Sequence, residues 1–275
     1  MVRILRAATW NFGYGSVGSP SKNNKTKVQK ALEYLRKNNV DIVLAQEIFD
    51  PNELRCLYPN QIYSDIPVYN PQGQGLWGAI DFSIDTRNNN SRPKWGTAIL
   101  AAENVNLNKI ELKYSTAYPG SMTVAQIAGT DIAVISMYGK NVCDYEKVTA
   151  FSYLANLHRC LSDTAPLLDG FSSAKRFIIA GDWNAGPQWD KGKSRKNFNF
   201  FERLATFDLK DCLGHFPDGG YETTFKHNGN RQIDWMFASQ AFTVHNPHID
   251  YVAEIEDLSD PVSYTHLTLP TNREV

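Results

Sequence analysis

Residues 177–187 read FIIAGDWNAGP: the apolar run Phe177–Ala180 goes straight into Gly-Asp-Trp-Asn and then breaks at Ala-Gly-Pro. A short apolar run closed by turn formers is the pattern of a strand buried on both faces. Side chains alternate along a strand, so Asp182 and Asn184 are expected to point the same way. That sets a carboxylate and a carboxamide side by side at the end of a buried strand, where open α/β folds bind ligands. The same four residue types also make an ordinary Asx-turn. Taken alone, this stretch fits both readings, and the rest of the chain has to separate them.

The pattern recurs. Ile4 to Asn11 reads as a first strand that stops before Gly13 and Gly15. Val28, Ala31, Leu32 and Leu35 then mark one apolar helical face, with lysines and arginines opposite. Asp41 to Glu47 (DIVLAQE) is a second buried strand, expected to end on its carboxylate. Further strands are expected at Gly96–Ala101, Thr123–Ala128, Ile132–Tyr138 and Gln232–Ala238, with helices over Tyr145–Leu161 and near Asn197–Thr206. Residues 70–95 are rich in Asn, Gln, Gly and Pro and read as a long surface insertion. Polar strand ends spread from Asn11 to Asp234 imply one site drawn from the whole chain, hence a single α/β domain over residues 1–260.

Composition narrows the partners. The 275 residues are 42% hydrophobic and 21% charged with a net charge of −1, so no global positive field draws in nucleic acid. Any polyanion contact has to come from a local patch. Cys56, Cys143, Cys160 and Cys212 are widely spaced, which argues against a zinc site or a disulfide scaffold and fits reduced thiols. The N-terminal MVRILRAATWNFGYG resembles neither a signal peptide nor a membrane span, so a cytoplasmic monomer away from membranes is expected.

The strand ends offer Asn11, Glu47, Tyr138, Asp182, Asn184 and Asp234. An unpaired buried charge is expensive, and three converging carboxylates repel one another. A hard divalent cation held by oxygen ligands resolves that, and Mg²⁺ suits one or two carboxylates plus a substrate phosphate, with Mn²⁺ the alternative. Asn11 and Asn184 add neutral oxygens or N–H donors, and Tyr138 can donate to a phosphate or a leaving oxygen. No histidine sits in an HxH or HExxH spacing.

In order along the chain, TWN (Thr9–Asn11), QE (Gln46–Glu47), SMYG (Ser136–Gly139), GDWN (Gly181–Asn184) and RQIDW (Arg231–Trp235) resemble the motifs of the endonuclease/exonuclease/phosphatase superfamily. The resemblance implies a four-layered α/β sandwich, two mixed β-sheets face to face and flanked by helices, and metal-dependent cleavage of a phosphoester. It implies Glu47 as principal Mg²⁺ ligand with Asn11 beside it and Asp260 in the metal set. Asp182 would orient or deprotonate the attacking water, Asn184 would hold the scissile phosphate, and Asp234 would orient a histidine from a closing Ser-Asp-His motif. Tyr138 with Asn141 resembles the apurinic-endonuclease branch's Tyr-x-x-Asn, although Gly139-Lys140 replaces the usual intervening pair.

The basic run KGKSRK (Lys191, Lys193, Arg195, Lys196) follows the GDWN strand and reads either as a solvated loop or as a clamp on a phosphate backbone. Lys193, Arg195, Asn141 and Arg231 are the candidate phosphate contacts. Tyr63, Tyr69, Trp77 and Trp95 could stack on bases or fold back over apolar surface. The substrate expected is nucleic acid, with a small phosphoester as the alternative. At the end of the chain Ser259-Asp260 arrives as the closing motif requires, but Pro261 stands where histidine is expected. Residues 261–275 resemble translated adaptor DNA, so a non-native tail and a nearly inert enzyme or binding module are expected of the chain as written.

Overall fold

The computed structural model describes residues 4–13, 22–49, 54–65, 95–112, 115–117, 120–139, 150–170, 174–224 and 231–250. Among them β1 (Ala7–Asn11) lies parallel to β2 (Ile42–Phe49), which pairs antiparallel with β4 (Trp95–Ala101), and β3 (Asn60–Asp65) closes that sheet on the far side of β4. The second sheet holds β5 (Leu107–Lys109), β6 (Met122–Ile127), β7 (Ile132–Met137), β8 (Arg176–Asp182) and β9 (Leu209–Asp211), with β10 (Asp234–Ser239) between β8 and β9. Only β7 and β8 run parallel there, so both sheets are mixed. The helices are α1 (Lys22–Lys37), α2 (Ala150–Leu168) and α3 (Lys196–Ala205).

Strand alternation builds the layers. Ile42, Leu44, Ile99, Val134, Ile178, Ala180 and Met236 form one apolar cluster between the two sheets. The alternate residues Val43, Ala45 and Leu100 pack outward against Val28, Ala31, Leu32 and Leu35 of α1. On the other side Ala133, Ile135, Phe177, Ile179, Trp235 and Phe237 pack against Leu154, Leu157 and Leu161 of α2 and Phe200, Phe201 and Leu204 of α3. The result is helix, sheet, sheet, helix: the four-layered sandwich. Each fully buried Leu, Ile or Phe contributes roughly 1.5–3 kcal/mol by leaving water. α1 stops cleanly because Asn39 takes a left-handed φ of 57°, letting Asn39 N–H reach Arg36 O and Val40 N–H reach Leu35 O.

Three departures from the sequence expectations have physical causes. β2 does not end at Glu47 but runs to Phe49, through a register shift between Ala45 and Ile48. β3, β5 and β9 were not anticipated; NQIYSD, LNK and LKD are short and polar and carry little period-two signal. α2 continues past Leu161 to Leu168, with Pro166 tolerated only in its last turn. The insertion before Trp95 and the start of the helix expected at Tyr145 lie outside the described residues. None of the described helices is long and apolar enough to cross a membrane.

Candidate active site

Period two also decides which side chains reach the gap between the sheets. The inward set that begins with Ala7, Ile42, Leu44, Ile132, Val134, Ile178, Ala180 and Met236 continues, at one end of the sandwich, into polar residues of the same parity. These are Thr9 and Asn11 on β1, Gln46 on β2, Ser136 and Tyr138 on and after β7, Asp182 on β8 and Asp234 on β10. β10 runs antiparallel to β8 with Asp234 directly opposite Asp182, so its first residue meets the last residue of β8. Asn11, Tyr138, Asp182 and Asp234, read from the sequence as polar strand ends, therefore collect at one edge.

Glu47 has the wrong parity for this edge. Val43 and Ala45 face α1, and Glu47 would follow them. The register shift intervenes: Glu47 takes a left-handed φ of 47° and its side chain is re-aimed, as β-bulges do. A non-glycine residue there costs on the order of 1 kcal/mol. The carboxylate lands against Tyr138, whose hydroxyl donates a short hydrogen bond to Glu47 Oε1. Glu47 Oε2 is buried and has no hydrogen-bond partner among the described residues.

Asp182 is held from two sides. Its Oδ2 accepts Asn11 Nδ2 at 2.7 Å and Asn184 Nδ2 at 3.3 Å, and its Oδ1 accepts the Asn184 backbone N–H at 2.9 Å. Asn11 is itself fixed because its Oδ1 accepts the Gly13 N–H at 2.8 Å. β8 ends at Asp182 and Asn184 has a left-handed φ of 46°, so strand alternation does not bring these two together. An Asx-turn does, and the turn and the site are the same object. Burial pushes the Asp182 carboxyl up to about 7, with the Asn11 and Asn184 hydrogen bonds pulling down and the Glu47 charge pushing up. Burial, then the Glu47 and Asp182 charges, drive the Tyr138 hydroxyl well above its ordinary value, so it stays a donor.

Two supports were not singled out in the sequence. Gln46 is fully buried and brackets the sheets: its Nε2 donates to Ser136 Oγ at 3.0 Å and Leu44 O at 2.9 Å, while Oε1 accepts Thr9 Oγ1 and the Asp182 N–H, both at 3.3 Å. Its place beside Glu47 was visible; its reach to Asp182 was not. Tyr153 is half-buried on α2, and burial followed by the Asp182 and Glu47 charges raises its pKa, which puts its hydroxyl in their field. Asn156, one turn along, docks the helix by donating to Ser121 Oγ at 2.9 Å and Tyr138 O at 3.4 Å. No helical pattern separates such a tyrosine from a core one. Glycine is needed at Gly139 and Gly181, since a Cβ would strike the Trp183 carbonyl in the first case and the Met137 carbonyl in the second.

Among the described residues no group of three or more His, Cys, Asp or Glu side chains is placed to hold a metal. Glu47 and Asp182 feel each other's charge, while Asp234 lies across the strand pair, its N–H and that of Ile233 donating to Thr224 Oγ1 at 3.2 and 2.9 Å. Asn141, Asp260, Pro261 and the tail lie outside the described residues. Of the basic candidates, Arg195 is engaged by Glu202 at 2.9 Å and lies over the Phe198 ring at 4.1 Å, whereas Lys193 is exposed. Arg231 sits over the Trp189 ring at 4.9 Å.

Comparison with known proteins agrees with this architecture. Over 98% of its length the chain superposes on an endonuclease/exonuclease/phosphatase protein from Beutenbergia cavernae, with a TM-score of 0.67, 16% identity and 72% of that chain covered. It superposes likewise on the human Nocturnin catalytic domain with bound sulfate (TM-score 0.58, 18% identity, 98% and 94% covered). A third match is the endonuclease domain of TRAS1, a telomere-specific non-LTR retrotransposon (TM-score 0.53, 14% identity, 98% and 100% covered). At these identities the likeness shows the fold alone. No curated protein matches the chain in sequence. The model of the Endonuclease/Exonuclease/phosphatase family, however, matches residues 8–260 and thus nearly the whole chain, and the protein belongs to that family.

Proposed function

We propose that the protein is a divalent-metal-dependent phosphoesterase that hydrolyses phosphodiester bonds of nucleic acid. The observation that carries this reading is Glu47 Oε2, a buried carboxylate oxygen without a hydrogen-bond partner among the described residues, beside a second buried carboxylate, Asp182. A buried anion left open in this way costs several kcal/mol unless a cation meets it, so the residues fit a hard cation held by Glu47, with the Asn11 amide oxygen alongside. Bound there, Mg²⁺ or Mn²⁺ supplies charge neutralisation for a phosphate and for the oxygen that leaves it.

The chain's own residues do the rest. Tyr138 fixes the orientation of Glu47 through its hydroxyl proton. Asp182, poised near neutral pH, takes a proton from a water held at its carboxylate. Asn11 and Asn184 keep that carboxylate aimed, and Asn184 would give up its 3.4 Å hydrogen bond to Gly139 O to hold a phosphoryl oxygen. A small phosphorylated molecule is the second reading, favoured by the net charge of −1. A hydrolysis panel of plasmid, abasic duplex, RNA and generic phosphomono- and diesters, run with and without EDTA, tests both. Activity that survives EDTA overturns metal dependence, and activity confined to monoesters overturns the nuclease reading.

A further inference from the structure

We propose that Arg231, stacked on Trp189, forms a subsite for a second phosphate of a polynucleotide strand, so that the site takes a chain of phosphodiesters in preference to an isolated phosphate. This rests on the phosphoesterase reading and extends it to the substrate beyond the reacting bond.

Both partners are anchored to catalytic-site strands. From Asn184 the chain runs into a single 3₁₀ turn, Pro187–Trp189. That turn is held at its far side by Asp190, whose carboxylate accepts the Asn197 and Phe198 backbone N–H groups at 3.1 and 2.9 Å. Across the gap, Gln188 Nε2 donates to Gln232 O at 2.7 Å, and Arg231 O accepts the Thr224 N–H at 2.9 Å. Thr224 Oγ1 in turn caps Ile233 and Asp234. The stacked pair is thereby tied to the Asn184 turn on one side and to the Asp234 strand on the other.

Arg231 is half-buried, and among the described residues it has no carboxylate partner. Arg176 is paired with Asp131, and Arg195 with Glu202. Trp189 Nε1 is also buried without a hydrogen-bond partner among the described residues. With its central carbon 4.9 Å from the Trp189 ring centre and no carboxylate partner among the described residues, the fork suits a bidentate acceptor, for which phosphate oxygens are the matching geometry. Because the ring already orients the fork, little rotamer freedom is lost on binding. A second phosphate is what distinguishes an oligonucleotide from a monophosphate.

Fluorescence anisotropy of labelled single-stranded DNA and RNA oligonucleotides, measured on the whole chain in EDTA across a salt series, tests this without turnover. Arg231→Met should weaken oligonucleotide binding about tenfold, the loss of one charge-assisted contact. The salt slope should fall by about 0.7. The loss should exceed by at least about fivefold that for a nucleoside monophosphate measured by competition. Arg231→Lys, which keeps the charge without the fork, should fall between, and Trp189→Leu should follow Arg231→Met while Trp189→Phe stays near wild type. Lys175→Met, an exposed charge at the opposite end of β8, controls for charge alone. Equal losses for oligonucleotide and monophosphate, an equal loss in Lys175→Met, or a wild type that prefers neither ligand would each overturn the subsite. The hydrolysis panel judges the phosphoesterase reading separately.

Discussion

Asp182→Asn should trade turnover for stability, and the trade should depend on pH in a way the geometry sets. Folding raises the Asp182 carboxyl from an ordinary carboxylate value near 4 to about 7, so the folded state binds the proton more tightly. Stability from this group is fully present below about pH 4 and is lost as pH rises through about 7. The interval corresponds to about 4 kcal/mol, and more than half of it falls between pH 5 and pH 9. Asparagine removes that titration but offers an N–H where Oδ2 now accepts Asn11 and Asn184, a mismatch costing roughly 1–3 kcal/mol at any pH. The variant should therefore be less stable than wild type at pH 5 and gain about 2–3 kcal/mol on it by pH 9, by urea denaturation in EDTA. Its hydrolysis rate should drop by about 10²–10⁴. Parallel pH profiles for the two proteins, or a swing in the opposite direction, would refute the claim that burial holds this carboxyl near neutral.

Glu47→Gln should weaken divalent-metal binding at least about tenfold by calorimetry, since the open Oε2 is the oxygen offered to a cation; unchanged affinity would move the metal elsewhere. Tyr138→Phe removes the hydroxyl that donates to Oε1, so it should cost about 1.5–3 kcal/mol in thermal or urea unfolding and also loosen metal binding; a variant as stable as wild type would mean that the hydroxyl bond contributes little. Gly139→Ala should lower both stability and turnover, because a Cβ there displaces the Trp183 carbonyl and with it the Asp182–Asn184 turn; a normal melting temperature together with normal turnover would contradict the packing. Pro261→His, supplying the histidine that the family resemblance calls for after Asp260, should raise turnover by at least about tenfold; full activity in the unaltered chain would dispose of that expectation.

What the sequence disclosed and what it hid divide along one physical line. Period-two alternation is local, so the buried strands around Phe177, Val43 and Val134, and the inward parity of Asn11, Tyr138, Asp182 and Asp234, could be read from spacing alone. Long-range geometry could not. Nothing in IVLAQEIF announces that the strand slips by one residue after Ala45, yet without that slip Glu47 would face α1 and the apolar layer around Leu32 and Leu35. The Asx-turn at Asp182 was visible as chemistry, but its identity with the site depends on Asn11 arriving from a strand 171 positions away in the chain. Trp189 gave no signal, because a tryptophan after Pro-Gln reads as surface or core until Arg231 is seen above it. The two carboxylates are therefore held by different means: Asp182 by a donor on β1 and by its own Asx-turn, Glu47 by a backbone distortion and one tyrosine. A residue placed by distortion carries its own strain, and an ion that engages Oε2 offsets it. Metal binding should accordingly stabilise the β2 bulge more than the rest of the sheet. Hydrogen exchange at Glu47 and Ile48, compared with Val43 and Leu44 with and without Mg²⁺, reads that difference directly, and equal protection across the four amides would mean that the bulge is set before any ion arrives.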